Sequence, residues 1–194
     1  MNERVEPEWA MVTVLFIDIR GFTTFADRST AREAVAYLNE FFGVVVPILT
    51  AHGGHANKLL GDGLLGVFGA PDHCPDHADR ALAAAEQMNG PALESFNAML
   101  RERGDEPFRI GIGLNSGPVM AGNVGSQRRM EYSAIGDTTN TAARLETMTK
   151  GSGHSIFLSD STRGMLTRPR GDLVHVAEME VRGKDAPVTV WSVT

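Results

Sequence analysis

The sequence has a single cysteine, Cys74, so no internal disulfide can form and the chain suits a reducing compartment. It also lacks the basic excess that a nucleic-acid-binding face needs. Lys and Arg number 18 against 24 Asp and Glu, a formal charge of -6, with a pI near 5.5. A small polyanionic substrate is still allowed, because a few local cations and a metal suffice for one. Long apolar runs are missing. The longest, from Val44 to Ala51, contains Pro47 and is far too short to cross a bilayer. The acidic start Met1-Asn2-Glu3-Arg4-Val5-Glu6 has no apolar signal core. There is no Walker A sequence, repeat, low-complexity segment or inter-domain linker. These absences predict a soluble, cytoplasmic protein with one domain over residues 10–194 behind a flexible lead-in, 1–9. At 194 residues, with 42% hydrophobic and 22% charged residues, the chain can bury an ordinary globular core.

What is present centres on Asn57-Lys58-Leu59-Leu60-Gly61-Asp62-Gly63-Leu64-Leu65-Gly66-Val67-Phe68. Two apolar runs flank Gly61-Asp62-Gly63, the pattern of a tight β-hairpin. A carboxylate at such a tip is not core, and beside a second carboxylate it is a candidate ligand for a hard divalent cation. Asp-Gly is also the commonest hairpin turn, so Asp62 alone reads equally well as a turn residue. The second carboxylate is available in Asp18, at the end of the apolar strand Val12-Thr13-Val14-Leu15-Phe16-Ile17, with Gly21 permitting a sharp exit.

The rest reads as alternating helices and strands. Residues 11–18 form a strand buried on both faces. Thr23 and Thr24 can open a short helix, and Thr30 with Glu33 makes a capping box for a longer one. On the longer helix Val35, Leu38, Phe42, Val45 and Leu49 recur at helical spacing, Pro47 is expected to kink the last turns, and Gly53-Gly54 end it. His73, Cys74 and His77 resemble a metal cluster, but no further ligands stand at zinc-site spacings, so they read as structural. Ala78 to Met99 predicts one helix. Residues 108–114 alternate as a strand with Gly111 and Gly113 on one face, where something must approach closely. Asn115-Ser116-Gly117-Pro118 reads as a turn before a strand at 119–124. A projecting hairpin follows at 125–129, then a strand at 130–136 and a helix from Asp137 through Lys150. On that helix Asn140 and Arg144 share one face, which reads as a solvated stripe or as an amide and guanidinium suited to phosphate. A strand at 155–158, a short helix capped by Ser159 or Asp160, and strands near 173–181 and 187–193 close the chain. The basic turn Val181-Arg182-Gly183-Lys184-Asp185 lies between the last two.

Four separated pieces carry a resemblance: Phe16-Ile17-Asp18-Ile19-Arg20-Gly21-Phe22, Lys58-Leu59-Leu60-Gly61-Asp62, Asn115-Ser116-Gly117-Pro118-Val119, and Tyr132 through Leu145 with Gly136-Asp137-Thr138-Thr139-Asn140 inside it. In this order and spacing the chain resembles the catalytic domain of class III nucleotidyl cyclases, the adenylyl and guanylyl cyclases, over roughly residues 10–193. The resemblance implies an α/β (α+β) ferredoxin-like sandwich related to the polymerase palm, and a head-to-tail homodimer with two shared sites. It implies two Mg²⁺ or Mn²⁺ ions per site, held by Asp18 and Asp62 with the Ile19 carbonyl as a further ligand. Gly21 and Phe22 would border the substrate, Lys58 and Ser133 would read the base, Asn140 and Arg144 would act at the transition state, and Arg182 would meet the triphosphate.

The implied reaction is conversion of ATP to cyclic AMP and pyrophosphate by in-line attack of the ribose 3′-hydroxyl. The alternatives are a guanylyl cyclase, which would carry an acid in place of Lys58, and a catalytically silent dimerisation module. Two departures are visible: Ser133 stands where adenylyl members have aspartate or threonine, and Pro118 where some mammalian halves have arginine. Lys58 and Asp62 are four strand positions apart, roughly 13 Å. That is too far to serve the same end of one nucleotide, and it fits two sites either side of a two-fold axis.

Overall fold

The apolar segment predicted over 11–18 is the inner part of strand β1, Glu8–Arg20, in the computed structural model, which describes residues 6–126, 129–180 and 187–193. Its side chains alternate between two cores. Leu15, Ile17 and Ile19 enter the larger one, and Val12 and Val14 the smaller. With both faces covered, the sequence has no polar alternation to show. Strands β2 (Gly54–Leu60) and β3 (Gly63–Phe68) form the predicted hairpin, and β3 pairs antiparallel with β1. On the other edge β1 pairs antiparallel with β4 (Arg109–Ser126), from Glu8 opposite Ala121 to Arg20 opposite Arg109. Strands β5 (Arg129–Ile135), β6 (Ile156–Ser159), β7 (Leu173–Met179) and β8 (Val188–Val193) complete a mixed sheet. Its order is β2-β3-β1-β4-β6-β8-β7, with β5 on β4 and the β4–β6 pair parallel.

Helices α1 (Phe22–Arg28), α2 (Ala31–Ala51), α3 (His77–Gln87) and α4 (Leu93–Glu102) contribute to the larger core through Phe22, Phe41, Val45, Leu49, Leu82, Phe96 and Leu100. Helix α5 (Asp137–Met148) contributes Ala142 to the smaller core, and α6 (Asp160–Gly164) is a short turn capped by Ser159. This is the expected α+β sandwich. The Thr30–Glu33 capping box is present on α2. The buried stripe of α2 is offset from the predicted one: Phe41 and Ile48 are buried beside Val45 and Leu49, while Val35 is exposed. By length and composition alone α2 is apolar enough to cross a membrane, with 21 residues and a mean hydropathy of 1.6. Its buried residues nevertheless pack into the core.

Two expectations are corrected. Residues 78–99 are not one helix, because Gly90 takes a non-helical conformation before Pro91 and a π turn over Met88–Ala92 separates α3 from α4. Asn115–Pro118 is not a turn either, but the middle of the continuous strand β4. Pro118 is tolerated because it lies between the stretch paired to β6, 112–114, and the stretch paired to β5, 120–126.

Candidate active site

Asp18 sits opposite Gly63 in the β1–β3 register, which brings the β2–β3 turn against the end of β1. Gly61 takes φ +66, the left-handed first position of a two-residue hairpin turn, and Asp62 follows it at the tip. A Cβ at position 63 would stand 3.2 Å from Asp18 Oδ1 and 3.1 Å from the Ile17 carbonyl oxygen, so glycine keeps the space beside the carboxylate open. Burial pushes the Asp18 carboxyl up to about 6, reinforced by the negative charges of Asp62 and then Glu146, against the weaker opposing pull of Arg20. The site therefore holds more negative charge than its cations neutralise.

Arg20 and Glu146 organise the floor. Arg20 Nη2 lies 2.6 Å from Glu146 Oε1, with both side chains mostly buried, and Arg20 Nη1 lies 3.9 Å from Asp18 Oδ2. The same Nη2 donates to the Glu146 carbonyl oxygen at 2.7 Å and to the Thr149 hydroxyl. Its N–H directions are thus taken, and the contact to Oε1 is an ion pair rather than an aligned hydrogen bond; Oε1 is buried without one. Burial raises the Glu146 carboxyl while Arg20 pulls it down.

Helix α5 can lie this close because of the glycines singled out in 108–114. A Cβ at Gly113 would meet the Ala142 carbonyl oxygen at 2.2 Å, and one at Gly111 would overlap the Arg20 guanidinium. The expected close approach is therefore made by α5 and by Arg20. Asn140 and Arg144 lie exposed on α5, whose Ala142, Leu145 and Glu146 face inward.

Lys58, on β2, is exposed and lies 3.8 Å from Glu131 of β5. Asn57 Nδ2 donates to the Tyr132 carbonyl oxygen at 2.7 Å, tying β2 to the strand that carries the half-buried Ser133. Lys58 and Ser133 are thus on adjoining segments. Gly21, at φ +76, turns the chain from β1 into α1. The side chains of Ile19 and Phe22 point into the core, Phe22 packing edge-on to Phe108, so what these two can offer a ligand is backbone. Arg182, with the rest of the basic turn 181–185, lies outside the described residues. His77 Nδ1 lies 2.7 Å from Thr13 Oγ1, and Cys74 Sγ donates to Asp76 Oδ1 at 3.2 Å.

Among the described residues no three His, Cys, Asp or Glu side chains converge as a metal cluster. The crowded pair Asp18 and Asp62, beside the opening at Gly63, still fits a hard cation that takes one or two carboxylates and completes its shell with backbone, water and phosphate oxygens.

The sequence reading missed Glu146. Its signal was a glutamate within the inward stripe of α5, where Ala142, Leu145 and Thr149 are its neighbours in helical phase.

The sequence matches the family described as Adenylate and Guanylate cyclase catalytic domain over residues 5–193. The chain belongs to that family. The cyclase domain is 36% identical over 148 residues to Adenylate cyclase 1 of Rhizobium meliloti, covering 76% of this chain and 22% of that protein. A mycobacterial relative of uncharacterised activity is 36% identical over 178 residues, 91% of this chain and 31% of its own length. The cyclase domain thus spans about a fifth to a third of the curated relatives it matches. Among solved structures, the guanylyl cyclase Cya2 superposes with a TM-score of 0.87 at 33% identity, covering 96% of this chain and 93% of that one. The adenylyl cyclase CyaB from P. aeruginosa does so with 0.85 at 27% identity, covering 97% and 96%.

Proposed function

We propose that this domain is an adenylyl cyclase, converting ATP to 3′,5′-cyclic AMP and pyrophosphate at a site shared between two copies of the chain. The observation that carries this reading is the Asp18–Asp62 pair at the junction of β1 and the hairpin, where burial, with the charges of Asp62 and Glu146 added, raises Asp18 to about 6 despite the nearby Arg20. Asp18 and Asp62, with the Ile19 carbonyl, would hold Mg²⁺ or Mn²⁺. Such ions supply charge neutralisation on the phosphates and acidify the attacking hydroxyl. Arg144 neutralises charge growing at the α-phosphorus and Asn140 orients the ribose; a contact of this kind is worth on the order of 2.7–4 kcal/mol. Arg20, held by Glu146, keeps the two aspartates from repelling the hairpin off the strand. Gly21 and the Phe22 backbone border the phosphates, and Arg182 engages the triphosphate.

The homodimer is supported by large apolar side chains left in solvent, Trp9 at 71% and Ile135 at 55% exposure. It is also supported by the exposure of Asn140 and Arg144 on α5, where a second chain can reach them. The lone, buried thiol of Cys74 supports a reducing, cytoplasmic setting. Lys58 favours adenine, because its ammonium only donates and adenine N1 only accepts. The guanylyl reading is supported by the likeness to several solved guanylyl cyclases, Cya2 among them. Incubating the purified chain with ATP or GTP and Mn²⁺, then separating the products by chromatography, tests the proposal. Cyclic AMP as the main product is expected; cyclic GTP-derived product in excess, or none from either nucleotide, overturns it.

A further inference from the structure

The segment 115–118, in the middle of β4, makes two hydrogen bonds with one residue of α5 and gives it room at a third position. Asn115 Nδ2 donates to the Thr138 carbonyl oxygen at 2.9 Å. Thr138 Oγ1 donates to the Pro118 carbonyl oxygen at 2.8 Å. A Cβ at Gly117 would stand 2.7 Å from Thr138 Oγ1, so position 117 has room only for glycine. Asn115 is itself buried and held from behind: Ser161 Oγ donates to its Oδ1 at 3.1 Å. Ser161 in turn belongs to a chain of hydroxyls running through Ser159 at 2.8 Å, Thr162 at 3.1 Å, Ser116 at 3.0 Å and Thr13 at 2.6 Å. The amide of Asn115 therefore has both ends committed, one to the scaffold and one to the first turn of α5. Thr139 adds a tie from its hydroxyl to the Ala134 carbonyl oxygen of β5 at 2.9 Å.

Helix α5 is thus fixed twice. Its start is seated on 115–118, and its far half is pinned by Arg20 and Glu146 beside Asp18. Asn140 and Arg144 lie between the two fixings. We infer that Asn115 is a positioning residue for the cyclase reaction, acting through Thr138 to set where α5 presents Asn140 and Arg144. This rests on the proposed function. Asparagine suits the position because it accepts from Ser161 and donates to a carbonyl at once; aspartate keeps the first role and loses the second. The Thr138 carbonyl retains its helical partner when Asn115 is changed, so the helix survives and its seat loosens. A displacement of about 1 Å at reacting groups costs on the order of 10²-fold in rate.

The experiment compares Asn115→Ala, Asn115→Asp, Thr138→Val and Thr138→Ser with the unmodified chain, measuring kcat and KM for ATP with Mn²⁺ and hydrogen exchange of the amides over 137–144. Expected are a fall in kcat of about tenfold to a hundredfold with KM within threefold for Asn115→Ala, Asn115→Asp and Thr138→Val, faster exchange confined to the start of α5, and near-full activity in Thr138→Ser, which keeps the hydroxyl. Unchanged kcat in Asn115→Asp overturns the inference. So does a rise in KM with kcat intact, or exchange that quickens uniformly across the domain, which marks a general loss of stability. If the unmodified chain makes no cyclic nucleotide, the proposed function fails by itself. Exchange over 137–144 then still decides whether Asn115 seats the helix.

Discussion

Arg20 of β1 and Glu146 of α5 are joined across the boundary between sheet and helix, Nη2 to Oε1 at 2.6 Å, with Asp18 3.9 Å from the other guanidinium nitrogen. One cation therefore serves two carboxylates, of which Glu146 is the more buried. Arg20→Ala leaves Glu146, Asp18 and Asp62 facing one another with no countercharge. Its unfolding free energy in EDTA, from urea denaturation, is expected to fall by about 3–5 kcal/mol, the usual result of breaking a buried pair from one side. A loss below about 1 kcal/mol would show that the pair is solvated in solution.

His77 gives the domain an acid-side pH dependence. Burial holds its ring below the ordinary histidine value, and Nδ1 faces the Thr13 hydroxyl. Below a pH of about 6.5 the unfolded chain takes up a proton that the folded chain refuses. Stability is then complete above that pH and declines as the pH falls toward the depressed folded value, with a slope of up to about 1.4 kcal/mol per pH unit from this residue. The His77→Gln variant should show a shallower decline between pH 6.5 and 5 in urea titrations. An identical slope in both proteins would remove His77 from the account.

Much of this was legible beforehand, and the exceptions have physical causes. Asp18 and Asp62 announce themselves because a carboxylate ending an apolar strand, or tipping a hairpin, interrupts a pattern. Gly111 and Gly113 mark a close approach without saying by what, since the Ala142 and Glu146 backbone that meets Gly113 comes from α5, some 30 positions on, and the guanidinium that meets Gly111 comes from Arg20, some 90 positions back. The segment 115–118 looked like a turn because Asn-Ser-Gly-Pro is turn chemistry; only the partner strands show that it is a seat for Thr138 inside β4. Glu146 was hidden because its partner, Arg20, lies 126 positions away.

On the proposed adenylyl reading, base choice rests on Lys58 and, more weakly, on Ser133, whose hydroxyl can accept from adenine's amino group or donate to guanine O6. Lys58→Glu is expected to lower kcat/KM for ATP and to raise relative use of GTP, because a carboxylate accepts from guanine N1–H and N2. An unchanged ATP-to-GTP ratio in that variant would take Lys58 out of the base pocket.

If the site is shared between two chains, inactive Asp18→Ala and inactive Arg144→Ala complement one another. Each heterodimer then contains one intact site, and mixing is expected to restore part of the activity once subunits exchange. Demonstrated heterodimers without recovery would mean that each chain builds its own site.

The central claim is that the two aspartates brought together by the β1–β3 register hold the ions on which the reaction depends. It is tested most directly by kcat/KM for ATP under Mg²⁺ in Asp62→Ala, beside a check that the variant melts like the unmodified chain. Asp62 is at a hairpin tip with Gly61 supplying the turn, so the fold is expected to survive while turnover is abolished. Near-normal turnover in a folded Asp62→Ala protein would contradict the account.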